Sequence, residues 1–325
     1  MQFPQSNATK IHVRSISTSN IDELAHFQIN KNRRYTQLHR GVLSSSYSEV
    51  NLGGVQIFRE SLTAGARIEA APAPTFLPFG AIFQASGNVK YCGKQPQENS
   101  LIQATGGDWD VCFNNKLDYV CAAFNRDTFN NDIKHLTGRE IPLEWLVSKA
   151  CRTNPGALNS YTKGISTIIQ KVLDQPELLK NPSAQQVLSV ELLKLAFNAL
   201  MPTIEYTQQL KPQAYRIRGV RRVIDYLQVY AAQLPSIPEL CKIAELSERS
   251  LEYGFREHLG VTPIRYLSLV RLNGARRDLL AATPKRQTVA NIALNWGFLE
   301  LGRFSGVYRQ LFEELPSDTL RSNTR

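Results

Sequence analysis

From Glu49 to Asn125 the apolar residues come in short runs: VQIFRES, RIEAA, FGAIFQAS, VKYCG, SLIQAT, WDVCFN and LDYVCAAFN. Each run has strand length. The breakers between them, Gly53-Gly54, Gly87-Asn88, Gly106-Gly107 and Asn114-Asn115, are turn chemistry. Many short strands with close turns predict a small sandwich or barrel. After Asn125 the apolar period lengthens to that of a helix. Asp127–Leu136 is a short amphipathic segment ending at Gly138. Leu158–Leu173 places Ile165, Ile168, Ile169 and Val172 at helical spacing, and Pro176 and Pro182 then interrupt the chain. Ala184–Leu200 lines up Leu188, Leu192, Leu195 and Ala199 along one face. That face either packs onto the domain's own sheet or forms a homodimer interface of antiparallel helices. Residues 1–40 are polar and poorly patterned, with a helix near Ile21–Gln28 and a basic cluster at Lys31, Arg33 and Arg34.

Thr203–Tyr215 is polar and bracketed by Pro202 and Pro212, so residues 205–215 are expected to be a linker. Residues 1–204 form one domain, β-rich over 49–125 and helical over 126–204, and residues 216–325 form a second. Beyond the linker every pattern is helical, beginning with the face Val220, Val223, Ile224, Leu227 and Tyr230. The fold class is therefore α+β: an N-terminal barrel or sandwich with flanking helices, followed by an all-α domain.

That second domain carries two helix–turn–helix patterns. In the first, Pro238–Ala244 is a short helix introduced by Ser236, and Glu245-Leu246-Ser247 is the turn. Ser247 is a suitable N-cap for Glu248–Leu259. Leu251 and Phe255 face inward with Leu240, Ala244 and Leu246, which leaves Arg249, Glu252, Tyr253 and Arg256 outside. A recognition helix needs polar, reaching side chains near its N-terminus. Arg249 can fork onto a guanine and Glu252 can accept from a cytosine amino group. Arg256, a turn further on, suits phosphate, as does the cap Ser247; alternatively Glu252 and Arg256 simply pair on a solvated face. In the second pattern Val289–Trp296 is the first helix and Gly297 its stop. Phe304, Tyr308 and Leu311 or Phe312 are buried at helical spacing. Arg303, Ser305, Gly306 and Arg309 then face outward. Gly302 and Gly306 are costly in a helix. They either admit a close sugar–phosphate backbone or pack tightly against another helix.

Between the patterns lies Pro263–Ala282, with Leu272, Ala275 and Leu279 on its apolar face. Eighteen or so residues make a rod of roughly 27 Å. Successive major-groove faces on one side of a duplex lie about 34 Å apart. Such a rod can place two recognition helices in consecutive grooves of double-stranded DNA bent to meet them.

Charge adds to this picture. The net charge is +10, and residues 205–325 hold 18 Lys/Arg against 12 Asp/Glu, with 15 of the cations arginine. Arginine's planar fork suits phosphate and guanine edges. The five cysteines, Cys92, Cys112, Cys121, Cys151 and Cys241, are odd in number and widely spaced. They read as free thiols of a cytoplasmic protein rather than as a disulfide framework or zinc site. No secretory h-region and no uncharged apolar run of about 18 residues is present, so no membrane partner is expected.

The stretch Leu240–Leu320 resembles the C-terminal domain of the AraC/XylS transcription regulators. The likeness rests on Ala244, Ser247, Leu251, Phe255, Gly260, Pro263, Tyr266, Arg271, Leu272 and Ala275, then on Ile292, Ala293, Gly297, Phe298, Phe304, Tyr308, Phe312 and Pro316. The resemblance puts the recognition positions on Arg249, Glu252 and Tyr253, and on Leu301, Gly302, Arg303, Ser305 and Gly306. Two departures stand out. Glu313 occupies a usual glycine position, so the last turn is expected to end differently. Leu301 and Gly302 are poor base readers, which limits direct readout by the second helix to Arg303 and Ser305. GGVQIFRES, the GNVKYCG region and the tail GFLELGRFSGVYRQLF with PSDTLR are similar in patches to ethanolamine-operon regulators.

The resemblance implies a cupin-like N-terminal barrel that senses a small-molecule effector, with RNA polymerase as a further partner of an activator. A metal-using cupin needs a His/Glu cluster on neighbouring strands. His12, His26, His39, His135 and His258 all lie outside Glu49–Asn125, so neither metal nor cofactor is expected. Phe79, Phe83, Tyr91, Trp109, Phe113 and Tyr119 are either pocket walls or plain core. Two rival functions remain. An enzyme fused to a DNA-binding domain, such as an alkyl-transfer repair protein, needs a P-C-H-R, G-x-S-x-G, H-E-x-x-H or P-loop context, and none is present. A nonspecific architectural DNA binder would hardly need a sensory barrel.

Overall fold

A computed structural model describes residues 10–28, 31–71, 73–103, 109–139, 141, 149–201, 207–209, 215–282 and 287–322. The N-terminal half begins with β1 (His12–Thr18), α1 (Ile21–Phe27), β2 (Arg34–Gln37), β3 (Ser45–Asn51), β4 (Val55–Leu62) and β5 (Ala66–Ala70). It continues through β6 (Phe76–Ala85), β7 (Val89–Tyr91), β8 (Ser100–Gln103), β9 (Trp109–Phe113) and β10 (Leu117–Asn125). Then come α2 (Arg126–Thr137), β11 (Lys149–Arg152), α3 (Pro155–Asp174), α4 (Pro182–Leu200) and β12 (Thr207–Gln209). Eight strands form one sheet in the order β1-β3-β4-β10-β6-β8-β11-β12, and four form a second in the order β2-β5-β9-β7.

The large sheet is the middle layer of three, which explains the continuous apolar run Tyr119–Phe124 of β10. A strand covered on both faces does not alternate. Tyr119 and Cys121 point at the small sheet, into a core with Tyr47, Phe58, Ile68 and Phe113. Val120, Ala122 and Phe124 point the other way, into a core with α2, α3 and α4. Tyr161 of α3 pins the helical layer to the sheet: its hydroxyl donates to the carbonyl of Phe79 at 2.6 Å and accepts from the amide of Ala122 at 3.3 Å.

The leucine face of α4 is spent inside this layer. Leu188 and Leu192 are buried with Ile165 and Ile169 of α3. A Cβ on Gly164 would come 2.6 Å from Leu195, so the two helices lie close. Of the two uses open to that face, the structure shows packing within the domain.

The poorly patterned start of the chain supplies β1, α1, which is the helix expected near Ile21–Gln28, and β2. Within the basic cluster, Lys31 is half-buried and Arg33 is buried, each beside an acidic partner inside the domain. Lys149–Arg152, within the segment expected to be helical, is a strand too short to show a period. The expected linker is also interrupted: Thr207–Gln209 pairs antiparallel with β11. Residues 205–206 and 210–214, and the turn at Gly106-Gly107, lie outside the described residues.

The C-terminal half is helical: α5 (Tyr215–Tyr230), α6 (Ile237–Ala244), α7 (Glu248–Leu259), α8 (Pro263–Ala281), α9 (Val289–Asn295), α10 (Leu301–Phe312) and α11 (Pro316–Ser322). Its core gathers Val223, Leu227, Leu251, Phe255, Leu272, Phe304 and Tyr308. Leu38 and Cys112 of the N-terminal half join that same core, so apolar packing runs across the two halves. Helix α8 lies along β2, the edge of the small sheet. Asn273 there exchanges two hydrogen bonds with the backbone of Gln37, each 3.0 Å long, so the side-chain amide satisfies an open sheet edge.

Leu192 is 1 % exposed. Leu192→Glu is therefore expected to bury an unpaired charge and cost more than about 3 kcal/mol. Thermal unfolding of the full chain should show a large drop in midpoint. A normally folded variant that differs only in sedimentation would return α4 to the role of a dimer face.

Candidate nucleic-acid interface

The first helix–turn–helix forms because each boundary is capped. Ser236 and Glu239 make a reciprocal capping box at the start of α6. Glu245 takes a left-handed conformation, with φ at 56°, to turn the chain. The hydroxyl of Ser247 accepts from the amide of Ser250 at the start of α7, and Gly260 ends the helix in the left-handed region. Leu251 and Phe255 are buried as the spacing requires. Arg249, Glu252, Tyr253 and Arg256 are exposed. Arg256 pairs with Glu252 at 2.9 Å, which is the alternative their spacing allowed. An exposed i,i+4 pair of this kind is worth only about 0.3–0.5 kcal/mol, so it does not lock either side chain. Arg216 of α5 lies 4.6 Å from the ring centre of Tyr253 and pairs with Glu257 at 2.8 Å, which steadies the tyrosine on the outer face.

In the second unit Thr288 caps α9, and Gly297, with φ at 72°, makes the turn. Phe304, Tyr308, Leu311 and Phe312 are buried along α10. Arg303, Gly302, Gly306 and Arg309 are exposed, while Ser305 is half-buried. Among the described residues, nothing lies within 4 Å of a Cβ placed on Gly302 or Gly306. The helix-packing explanation of these glycines is thereby excluded, and the open approach from outside remains. Helix α10 ends at Glu313 in the left-handed conformation, φ 60°. The last turn therefore keeps the geometry a glycine would supply, contrary to the different ending expected from a non-glycine residue. Glu313 also accepts from Arg40 of the N-terminal half at 2.9 Å.

The six aromatic residues considered as pocket walls do not come together. Phe79 packs on the helical side of the large sheet with Phe124 and Phe129. Phe83 lies at the surface beneath the guanidinium of Arg59. Tyr91, Trp109, Phe113 and Tyr119 do share the space between the two sheets. That space also holds charged groups which sequence reading missed. Glu60 accepts from the hydroxyls of Tyr35 and Tyr119, and Arg33 donates to Tyr119 at 2.9 Å. Glu49 accepts from Lys31 at 2.6 Å and from Arg14 at 2.7 Å. Burial alone would raise the Glu49 carboxyl pKa, but hydrogen bonds and charge from His12 and Lys31 hold it well below the usual carboxylate range. Among the described residues, Arg33 Nε, Gln28 Oε1 and Trp109 Nε1 are buried with no hydrogen-bond partner. Buried polar atoms without partners are uncommon and call for a reason.

The other residues missed lie where the two halves meet: Asp110, Gln37, Asn273 and His258. His258 carried a signal. It falls three residues after Phe255, on the apolar stripe of α7, where a histidine must find a buried partner.

Comparison with known proteins agrees with this geometry. The helix-turn-helix domain family matches residues 240–322. A probable thc operon regulatory protein of Rhodococcus erythropolis is 37 % identical over 153 residues, covering 46 % of this chain and 45 % of that protein. XylDLEGF operon transcriptional activator 2 of Pseudomonas putida is 38 % identical over 99 residues, covering 30 % of this chain and 63 % of that one. The chain thus spans less than two thirds of either relative. A solved structure of a probable AraC family transcriptional regulator from Rhodopseudomonas palustris CGA009 is 34 % identical, with 32 % of this chain and 96 % of that chain covered, at a TM-score of 0.31. Over residues 240–322 the chain thus carries a helix-turn-helix domain similar to those of operon regulators and transcriptional activators.

Proposed function

We propose that the protein is a sequence-specific DNA-binding transcriptional regulator, an activator whose N-terminal domain answers to a small molecule. The observation that carries this reading is the pair of recognition helices, each with an exposed arginine near its start and a buried opposite face. Arg249, Glu252 and Tyr253 read base edges from α7. Arg303 and Ser305 read from α10, where Leu301 can offer only an apolar touch to a thymine methyl. Ser247, Arg256, Arg309 and the open backbone at Gly302 take phosphates. Relatives named as operon regulators and activators support the same role.

The effector would be held between the two sheets, in the core shared by Tyr91, Trp109, Phe113 and Tyr119, where buried donors on Arg33 and Trp109 lack partners among the described residues. An activator also engages RNA polymerase, and any homodimer must use a surface other than the leucine face of α4. The five free thiols suit a cytoplasmic setting. The domain boundary is placed at residues 205–215, with β12 paired back to the sheet inside it.

Mutation separates base contacts from phosphate contacts. Arg249→Ala and Arg303→Ala should each cost roughly 1–3 kcal/mol on a selected site and relax selectivity at a few base pairs of their own half. Arg256→Ala and Arg309→Ala should weaken binding to all sequences alike and flatten the salt dependence by about one unit. Titrations over salt and mutated sites distinguish the two behaviours. Equal losses on selected and random DNA for Arg249→Ala would remove α7 from base readout.

The open glycines give a second, opposite pair of effects. Gly306→Ala should stabilise the folded protein by about 0.5–1 kcal/mol through helix propensity. The same methyl should weaken DNA binding, because it fills the gap left for the backbone. Thermal melts and binding isotherms on one preparation test both signs. A variant both more stable and equally tight would mean that nothing approaches this face.

A further inference from the structure

Both recognition helices are tied to the N-terminal domain. On α7 the ring of His258 is wholly buried. It lies nine residues after Arg249, about half a turn around the helix. Its Nε2 lies 2.9 Å from Oδ2 of Asp110 in β9. An ionised carboxylate can only accept, so the ring donates from that nitrogen. Nε of Arg67 in β5 donates to the same oxygen at 2.8 Å, and its guanidinium also pairs with Glu69 at 2.7 Å. Burial pushes the Asp110 carboxyl up, but Arg67, then His258 and Arg221, hold it well below the usual range, so it stays charged. One residue earlier in α7, the carbonyl of Glu257 accepts from Nζ of Lys90 in β7 at 2.7 Å. Gly93, with φ at 78°, lies against the imidazole, where a Cβ would come 2.3 Å from Nδ1. The last turn of α7 is thus gripped from two strands and a turn of the small sheet.

On α10 the grip is at the last turn as well. The carbonyl of Leu311 accepts from the amide of Gly41 at 3.0 Å and from the side-chain amide of Gln37 at 3.1 Å. The backbone of Gln37 is in turn held by Asn273 of α8, the helix that joins the two units.

We propose that the small sheet is a brace across both recognition helices: Asp110, acting through His258, positions α7, and Gln37 positions α10, so that the two helices meet one duplex at a fixed spacing. The inference rests on the DNA-reading function proposed above. Asp110 and Gln37 are positioning residues, since neither shares the exposed face that carries Arg249 or Arg303. A change between the sheets would thereby reach the spacing of the helices without any hinge in α8.

The test uses the full chain and a DNA site selected from a random pool by the wild-type protein. Asp110→Ala is expected to weaken binding to that site about tenfold, as for loss of a hydrogen bond to a charged group. The loss should fall on base pairs read by α7, those that Arg249→Ala also relaxes, while those read by α10 keep their discrimination. The salt dependence should stay unchanged, because no phosphate contact is removed. Asp110→Asn, which keeps an acceptor oxygen for the ring, should recover most of the affinity. Should Asp110→Ala fail to fold, Lys90→Met removes only the clasp on Glu257 and should show the same one-sided relaxation at about threefold. A purely structural defect would lower the active fraction and spare selectivity in both halves. Folded Asp110→Ala or Lys90→Met protein with wild-type affinity and selectivity overturns the brace, as does a loss shared equally by both halves. A wild-type protein that selects no sequence at all overturns the DNA-reading function itself, which is a different result.

Discussion

Asp110 is a buried carboxylate that neither half of the chain satisfies alone. Arg67 of the small sheet balances its charge, and His258 of the first recognition helix supplies a hydrogen bond from the other side. Removing one partner of a buried ionic group leaves the others uncompensated, at a cost of about 3–5 kcal/mol. The two halves therefore dock in one register, with Arg67, Asp110 and His258 aligned. Apolar packing reinforces the docking through Leu38 and Cys112. The edge strand β2 meets α8 in the same interface, which protects an otherwise open sheet edge. The two N-terminal sheets are coupled here to the helix–turn–helix units by groups too buried to shift independently.

The two recognition helices present different chemistry on a shared frame. Helix α7 offers hydrogen-bonding side chains, steadied by Arg216 over Tyr253. Helix α10 offers two bare glycine positions beside Arg303 and Arg309. The first suits reading of base edges, and the second suits close approach to the backbone with one or two base contacts. At the end of α10 a glutamate holds a left-handed conformation that favours glycine, and its carboxylate meets Arg40. An exposed pair adds little stability, so the strain at Glu313 is carried by the surrounding packing.

The helical half was legible from the chain because its signals are local. Caps at Ser236 and Ser247, a stop at Gly297, and apolar residues at three and four spacing each act within one element. The strands of Val55–Asn125 were legible for the same reason, since turn residues punctuate them. What escaped depends on partners distant in sequence. Nothing near Lys31 and Arg33 in the chain reveals Glu49 and Glu60, the carboxylates they pair with. Phe79 and Phe83 sit in the same strand as inward residues, yet register directs one to the helical layer and leaves the other at the surface. The leucine stripe of α4 had two possible uses, packing within the domain or a dimer face, and the proximity of α3 selects the first. The contacts at Asp110 and Gln37 join residues 148 and 236 positions away, a separation no local pattern encodes.

The central claim is that two helices held on one frame read consecutive grooves of one duplex. Hydroxyl-radical footprinting of the full chain on its selected site tests it most directly. The account predicts two protected stretches about one helical turn apart, centred on the same face of the DNA. A single protected stretch, or uniform protection along the duplex, would contradict it.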